Sequence, residues 1–222
     1  MPKSTAAPQP RLVVLGSSSP ARLLTLQQAG IEPLIVVPDV DEQTVHRPGA
    51  PEMTAELARL KGESVLRKIE ASGELEAPFV LLACDSMLEI EGRVYGKPGT
   101  QEAAIVRWYR MRARQGLFYT GHYVAVVHGS DDVRSQVRVA ETGVTFADLT
   151  DAEIAAYAAT GEPQRVAGGF TIDGFGGPFI TRISGDPHNV VGISLPLVRQ
   201  MLLDLGVAWQ GLWALDQGGE EL

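Results

Sequence analysis

The sequence predicts an α/β fold: one mixed central sheet flanked by helices. Three observations carry this. The N-terminal half alternates short apolar runs with amphipathic helical ones, which is the pattern of a parallel layer. Two long strand-like runs then follow each other directly, 117–128 and 134–147, with a turn at Gly129 to Asp132 between them. The chain has 222 residues, of which 45% are apolar and 21% charged. That composition is ordinary for a globular domain, and a chain of this size buries roughly 70% of the surface it exposes when unfolded.

The elements follow in chain order. Residues 1–10 are rich in Pro, Ala, Ser and Gln and read as a disordered lead-in. Arg11 to Gly16 is a buried strand. Ser19 suits an N-cap and Pro20 the first helical position of a helix reaching about Gly30. Ile31 to Pro38 reads as a second strand and Asp39 to Gln43 as an acidic loop. Pro51 opens a helix to about Ala71, with Leu57, Leu60, Leu66 and Ile69 near helical spacing. Pro78 to Cys84 is a wholly apolar strand that Asp85-Ser86 ends, and Met87 to Tyr95 is a hairpin turning at Glu91-Gly92. Thr100 caps a helix to about Arg114, on which Arg107, Arg110 and Arg114 form a solvated stripe. Thr150 and Glu153 form a capping box for a helix to about Ala159. Residues 168–177 hold five glycines. Phe179 to Ile183 is a strand, Asp186 to Asn189 a turn, and Ser194 with Pro196 opens a last helix to about Leu205. The division is a single catalytic domain over 11–206, followed by a C-terminal tail over 207–222.

Composition excludes several classes. A net charge of −8 opposes binding to extended nucleic acid or to an anionic membrane. No apolar run approaches the roughly 20 residues that cross a bilayer, and Met1 to Pro8 lacks the apolar stretch of a signal peptide. A single cysteine, Cys84, excludes an internal disulfide framework and fits a reducing, cytoplasmic setting. Only four of the basic residues are lysines: Lys3, Lys61, Lys68 and Lys97.

Four constellations carry chemistry. Gly16-Ser17-Ser18-Ser19-Pro20-Ala21-Arg22 brings hydroxyls and free N–H groups to a helix start, a natural anion site onto which Arg22 could fork. The same residues also make a plain capped helix. It is neither GxxxxGK[ST] nor GxGxxG. Asp41-Glu42 and Asp85, on separate loops, suit a Mg²⁺ ion shared with phosphates, or else are a solvated turn and a strand-end cap. Lys61 and Lys97 are point charges suited to phosphate oxygens, or solvated lysines. The glycine-rich stretch lets a flat base approach the backbone, with Asp173 and Asn189 as candidates for reading its edge, or forms a tight bend. The four histidines show no HExxH spacing and no GxSxG is present.

Taken together and in order, the SSSPAR run, Asp41-Glu42, Leu57 to Lys61, Cys84-Asp85-Ser86, Gly96-Lys97-Pro98, Tyr119-Thr120-Gly121, Gly161-Glu162-Pro163, Ala167 to Phe170 and Asn189 to Gly192 resemble the Maf family of nucleoside triphosphate pyrophosphatases. The resemblance runs from about residue 11 to 206. It implies a cytoplasmic enzyme dependent on a divalent metal cation, Mg²⁺ or Mn²⁺, that cleaves a nucleoside triphosphate to the monophosphate and pyrophosphate. It also implies two lobes around a nucleotide cleft, as in the inosine triphosphatase type, and a homodimer. By motif, Asp85, Lys61, Lys97 and Arg22 inherit catalytic positions. Ser17, Ser19, Ser86 and Asp173 inherit substrate-binding positions, and Glu42 with Asp85 inherits the metal. Two departures stand out. Ala21 replaces the first of two arginines. Asp173 stands where the branch preferring dTTP and UTP carries glutamine. A branch resembling a 7-methyl-GTP pyrophosphatase has a pattern close to Gly174-Phe175-Gly176, so a modified, cationic base is an expectation. The alternatives are a nucleotide-binding regulator of cell division without relevant catalysis, and a nucleotidyltransferase.

Overall fold

The structure, a computed structural model, describes residues 9–215. Among these, seven strands form one sheet: β1 (Leu12–Gly16), β2 (Leu34–Ile35), β3 (Phe79–Ile90), β4 (Arg93–Tyr95), β5 (Gln115–Gly129), β6 (Asp132–Phe146) and β7 (Ile180–Ser184). Their order is β2-β1-β3-β5-β6-β7, with β4 paired to β3. β2, β1 and β3 run parallel; every other pairing is antiparallel. The expected mixed sheet is therefore present, and helices flank it.

Local signals set most of the helices. α1 (Pro20–Gln28) starts with Ser19 as N-cap and Pro20 in its first turn. Next comes α2 (Ala50–Ser72), which Gly73 closes in the left-handed conformation. Thr100 caps α3 (Gln101–Met111), and both halves of the Thr150/Glu153 capping box open α4 (Asp151–Ala159). α5 (Pro187–Val191) and α6 (Leu195–Asp204) complete the set, with Asp186 and Ser194 as their N-caps.

Strand alternation divides the two faces of the sheet. On one face Leu82, Cys84, Val124 and Val126 pack against Leu26 of α1 and Val198 and Met201 of α6. Farther along that face Leu88, Phe118, Val144 and Phe146 meet Trp108 of α3 and Ile154 and Tyr157 of α4. On the opposite face Leu81, Ala83, Tyr123 and Ala125 meet Ala58 and Val65 of α2. β3 and β5, at 12 and 15 residues, are long enough to serve two cores. The molecule is thus two lobes strung on shared strands.

Several sequence expectations change. β3 does not end at Asp85-Ser86; it runs through them to Ile90. A polar pair looks like a stop because burying it uncompensated is costly, but here distant side chains satisfy both residues. The strand expected at 31–38 shrinks to Leu34–Ile35 at the sheet edge. The turn expected at 186–189 opens α5. α3 stops at Met111, so Arg114 leaves the helix. Arg107 is not solvated: its Nη1 donates to the Gly96 carbonyl and its guanidinium lies 5.0 Å from the Tyr95 ring centroid. Residues 207–215, expected as part of a tail, fold back: Val207 and Leu212 join the core, and the Ala214 amide donates to the Gly30 carbonyl at 2.8 Å. Residues 1–8 of the lead-in and 216–222 of the tail lie outside the described residues. No helix among the described residues is long and apolar enough to cross a membrane.

Candidate active site

The loop after β1 is built as an anion cradle. Ser19 N–H donates to the Ser17 hydroxyl oxygen at 3.1 Å, and Arg22 N–H donates to the Ser19 hydroxyl at 3.4 Å. This turns the start of α1, with its partial positive charge, toward a hollow of about 120 Å³. The hollow is walled by residues 16–19 and Arg22, by Val37, Pro38 and Val40, and by Glu42, Lys61 and Lys97. Ser17 accepts a second hydrogen bond from Arg22 Nη1 at 3.2 Å. With both lone pairs engaged, its own O–H remains as a donor.

Lys61 reaches this point because α2 lies unusually close to β5. A side chain on Gly121 would collide with the Thr54 backbone, and one on Gly62 would collide with the Tyr123 ring. Two glycines therefore set the approach. Lys61 Nζ then donates to Asp85 Oδ1 at 2.5 Å and pairs with Glu42 Oε1 at 2.7 Å. Asp85 is buried, Lys61 is largely covered and Glu42 is exposed at the rim. Burial pushes the Asp85 carboxyl above its ordinary 3.8, against the opposing pull of Lys61 and Arg22.

Arg22 departs from expectation. It walls the hollow, yet its guanidinium is also anchored inside the protein: Nε donates to the Gly192 carbonyl at 2.8 Å, Nη1 to the Cys84 carbonyl at 2.9 Å and to Ser17, and Nη2 to the Ser86 hydroxyl at 3.0 Å. Four of its five N–H donors are engaged inside the protein. Ser86, expected to bind substrate, is buried and meets Thr120 Oγ1 at 2.9 Å.

Lys97 comes from the other lobe. It is exposed and makes no ion pair among the described residues, so its charge is available. Its loop is braced from both sides. Gly168 N–H donates to the Gly96 carbonyl at 3.1 Å, Gly99 N–H to the Gln164 carbonyl at 3.0 Å, and the Trp108 indole to the Gly169 carbonyl at 2.9 Å. Asp173 is exposed on the glycine-rich loop and is not among the residues walling the hollow. Asn189, read as a base-edge candidate, is fully buried in the polar seam beside Thr120.

The sequence reading assigned no role to Glu162. Its carboxylate accepts from the Tyr157 hydroxyl (2.7 Å), the Thr171 hydroxyl (2.6 Å) and the amides of Phe175 and Gly176 (both 3.0 Å). Burial pushes its pKa up, but these four donors outweigh burial and hold it low. It pins the glycine-rich turn. The signal was its place between two glycine-bearing motifs.

A larger hollow of about 510 Å³ lies farther along the sheet, beside Glu89, Glu91, Leu117 and Arg182. It offers two carboxylates against one guanidinium, the wrong balance for a polyanion. No group of three or more His, Cys, Asp or Glu among the described residues gathers as a metal cluster. Mg²⁺ does not need one, since one or two carboxylates plus substrate phosphates complete its shell. Glu42 and Asp85, both drawn to one ammonium, are hard oxygen donors that fit such an ion.

Comparison with known proteins identifies the family. A family model described as Maf-like protein matches residues 12–205. The chain is 54% identical over 210 residues to the nucleoside triphosphate pyrophosphatase of Cutibacterium acnes, spanning 93% of this chain and 96% of that one. It is 48% identical over 205 residues to the nucleoside triphosphate pyrophosphatase of Salinispora tropica, spanning 92% and 88%. Among solved structures, the Staphylococcus aureus Ham1 protein shares 18% identity at a TM-score of 0.38, over 61% of this chain and 72% of that one.

Proposed function

The chain belongs to the Maf-like family, and from that premise and the geometry above we propose that it hydrolyses a nucleoside triphosphate to the monophosphate and pyrophosphate. The observation that carries the reading is the Lys61–Asp85 pair beside the serine cradle, with the unpaired Lys97 across from it.

The triphosphate enters with its phosphates against the serine loop. Ser17 O–H and the α1 terminus donate to phosphate oxygens, and Lys97 closes over them from the other lobe. Water attacks the α-phosphorus. The new P–O bond forms as the bond from that phosphorus to the α–β bridging oxygen breaks, and pyrophosphate leaves with the electron pair. Asp85 accepts the water's proton, its carboxylate held at the hollow by Lys61. Lys61 holds Asp85 in place and balances its charge. Glu42 and Asp85 would hold a divalent cation, Mg²⁺ or Mn²⁺, which when bound supplies charge neutralisation to the phosphates. Most of the catalysis is positional and electrostatic, as in other phosphoryl chemistry. The family resemblance also carries a cytoplasmic location and a homodimeric state as part of this reading, and Asp173 with the Gly174-Phe175-Gly176 pattern adds a modified, cationic base as a candidate substrate.

The test is pyrophosphate release from a panel of nucleoside triphosphates, with Mg²⁺ and with a chelator. Metal-dependent release is expected, and Asp85→Asn should remove most turnover while nucleotide still binds. Absence of release from every triphosphate, or near-wild-type rates for the variant, would overturn the reading.

A further inference from the structure

A polar seam crosses the sheet between the two apolar cores. Along β3, Ser86 sits between Cys84 of one core and Leu88 of the other. Thr120 lies opposite Ser86 on β5, and Thr142 lies opposite Phe118 on β6. All three hydroxyl residues are buried. Apolar side chains would fill such rows with less desolvation, because each buried hydroxyl must find a hydrogen-bond partner to offset its lost hydration.

The bonds run in one direction. Arg22 Nη2 can only donate, and the Asn189 carbonyl can only accept. Arg22 therefore donates to Ser86 at 3.0 Å, Ser86 to Thr120 at 2.9 Å, and Thr120 to the Asn189 carbonyl at 3.0 Å. Asn189 begins the turn of α5 that Gly192 ends, and the Gly192 carbonyl accepts from Arg22 Nε at 2.8 Å. The chain closes into a ring: Arg22, Ser86, Thr120, Asn189, Gly192 and back to Arg22. The Asn189 side chain is itself held, its Nδ2 donating to the Phe118 carbonyl at 3.1 Å and to Thr142 Oγ1 at 3.0 Å. That orientation leaves its Oδ1 buried without a partner. These two acceptors fix the position of the amide donor.

Only one member of the ring reaches the cradle. Arg22 Nη1 donates to Ser17, whose oxygen also holds the Ser19 amide. We propose that this buried ring is the positioning device of the anion cradle, with Thr120 and Asn189 as positioning residues that fix Arg22, and through it Ser17, rather than touching substrate. The inference rests on the pyrophosphatase reading but concerns how the cradle is held. A displacement of about 1 Å at such a site lowers rates by up to about 100-fold.

Two substitutions at Thr120 separate hydroxyl from packing. Thr120→Val keeps the shape and removes the link; Thr120→Ser keeps the link. Affinity for inorganic tripolyphosphate, measured by calorimetry on the full chain, reads the cradle without catalysis, and kcat/KM for a nucleoside triphosphate reads its use. We expect Thr120→Val to weaken tripolyphosphate binding at least tenfold and to lower kcat/KM by about 10- to 100-fold, and Thr120→Ser to restore both to within about threefold. Unchanged binding in Thr120→Val, equal loss in both variants, or no tripolyphosphate binding by the wild type would each overturn the proposal. If Thr120→Val does not fold, Ser86→Ala breaks the same ring and carries the same expectation. If the wild type binds tripolyphosphate but releases no pyrophosphate from nucleotides, the pyrophosphatase reading falls while the comparison of variants still decides the ring.

Discussion

Acid should destabilise this protein through His122. His122 is fully buried on β5, and its Nε2 accepts the Ser194 N–H at 2.8 Å, at the N-cap of α6. An accepting Nε2 leaves the proton of the neutral ring on Nδ1, which is buried beside the Thr120 backbone. Protonation would destroy that acceptor and place a charge in the core near Arg22. Burial first, then Arg22, push the pKa from the ordinary 6.5 down to about 3. The folded pKa lies below the unfolded one, so the unfolded chain binds the proton first. The stability due to neutral His122 is complete above pH 6.5 and is lost as pH falls from there toward 3. At about 1.36 kcal/mol per pH unit, lowering pH from 6.5 to 4 removes about 3.4 kcal/mol. That is a large share of a total of about 5–15 kcal/mol. Urea unfolding at pH 7 and pH 4 measures the loss. His122→Gln keeps an oxygen able to accept the Ser194 amide and removes the titration. The wild type should lose about 3 kcal/mol more than the variant over this range. Equal losses in the two proteins would refute the reasoning.

Three further outcomes are expected. Lys97→Ala, which removes an exposed and unpaired ammonium, should raise KM about tenfold, consistent with loss of one charge-assisted contact of about 1.5 kcal/mol, while Tm stays close to wild type. Gly121→Ala should destabilise the chain by about 3 kcal/mol or more, since its methyl group meets the Thr54 backbone; a chemical denaturation midpoint close to wild type would argue against the tight α2–β5 approach. If Asp173 reads a cationic base, 7-methyl-GTP should turn over faster than dTTP and UTP in the pyrophosphate-release panel, and Asp173→Asn should erase the difference; equal rates remove that role.

The sequence alone determined what its neighbours decide. Ser19 with Pro20, Thr100, and Thr150 with Glu153 start helices because their partners lie within three residues. Glu91 and Gly92 turn the hairpin with both φ angles positive, at 51° and 74°. The same local grammar marked Ser17, Ser19, Glu42, Lys61 and Lys97, and the structure brings these five around one hollow. Tertiary structure decided what depends on contacts between remote residues. Asp85 and Ser86 continue a strand because Lys61, 24 residues away, and Arg22, 64 residues from Ser86, satisfy them there. Arg22 looks like a phosphate ligand by position, but its acceptors are a carbonyl at residue 192, another at 84, and two serine hydroxyls. Thr120 and Asn189 stand in recognisable motifs, but their partnership is not legible there, because a hydrogen bond across 69 residues exists only after β5 and α5 have met. Spacing in the chain could identify the groups able to bind a triphosphate. Which of them face it, and which hold the others still, was fixed only when buried donors had to find acceptors.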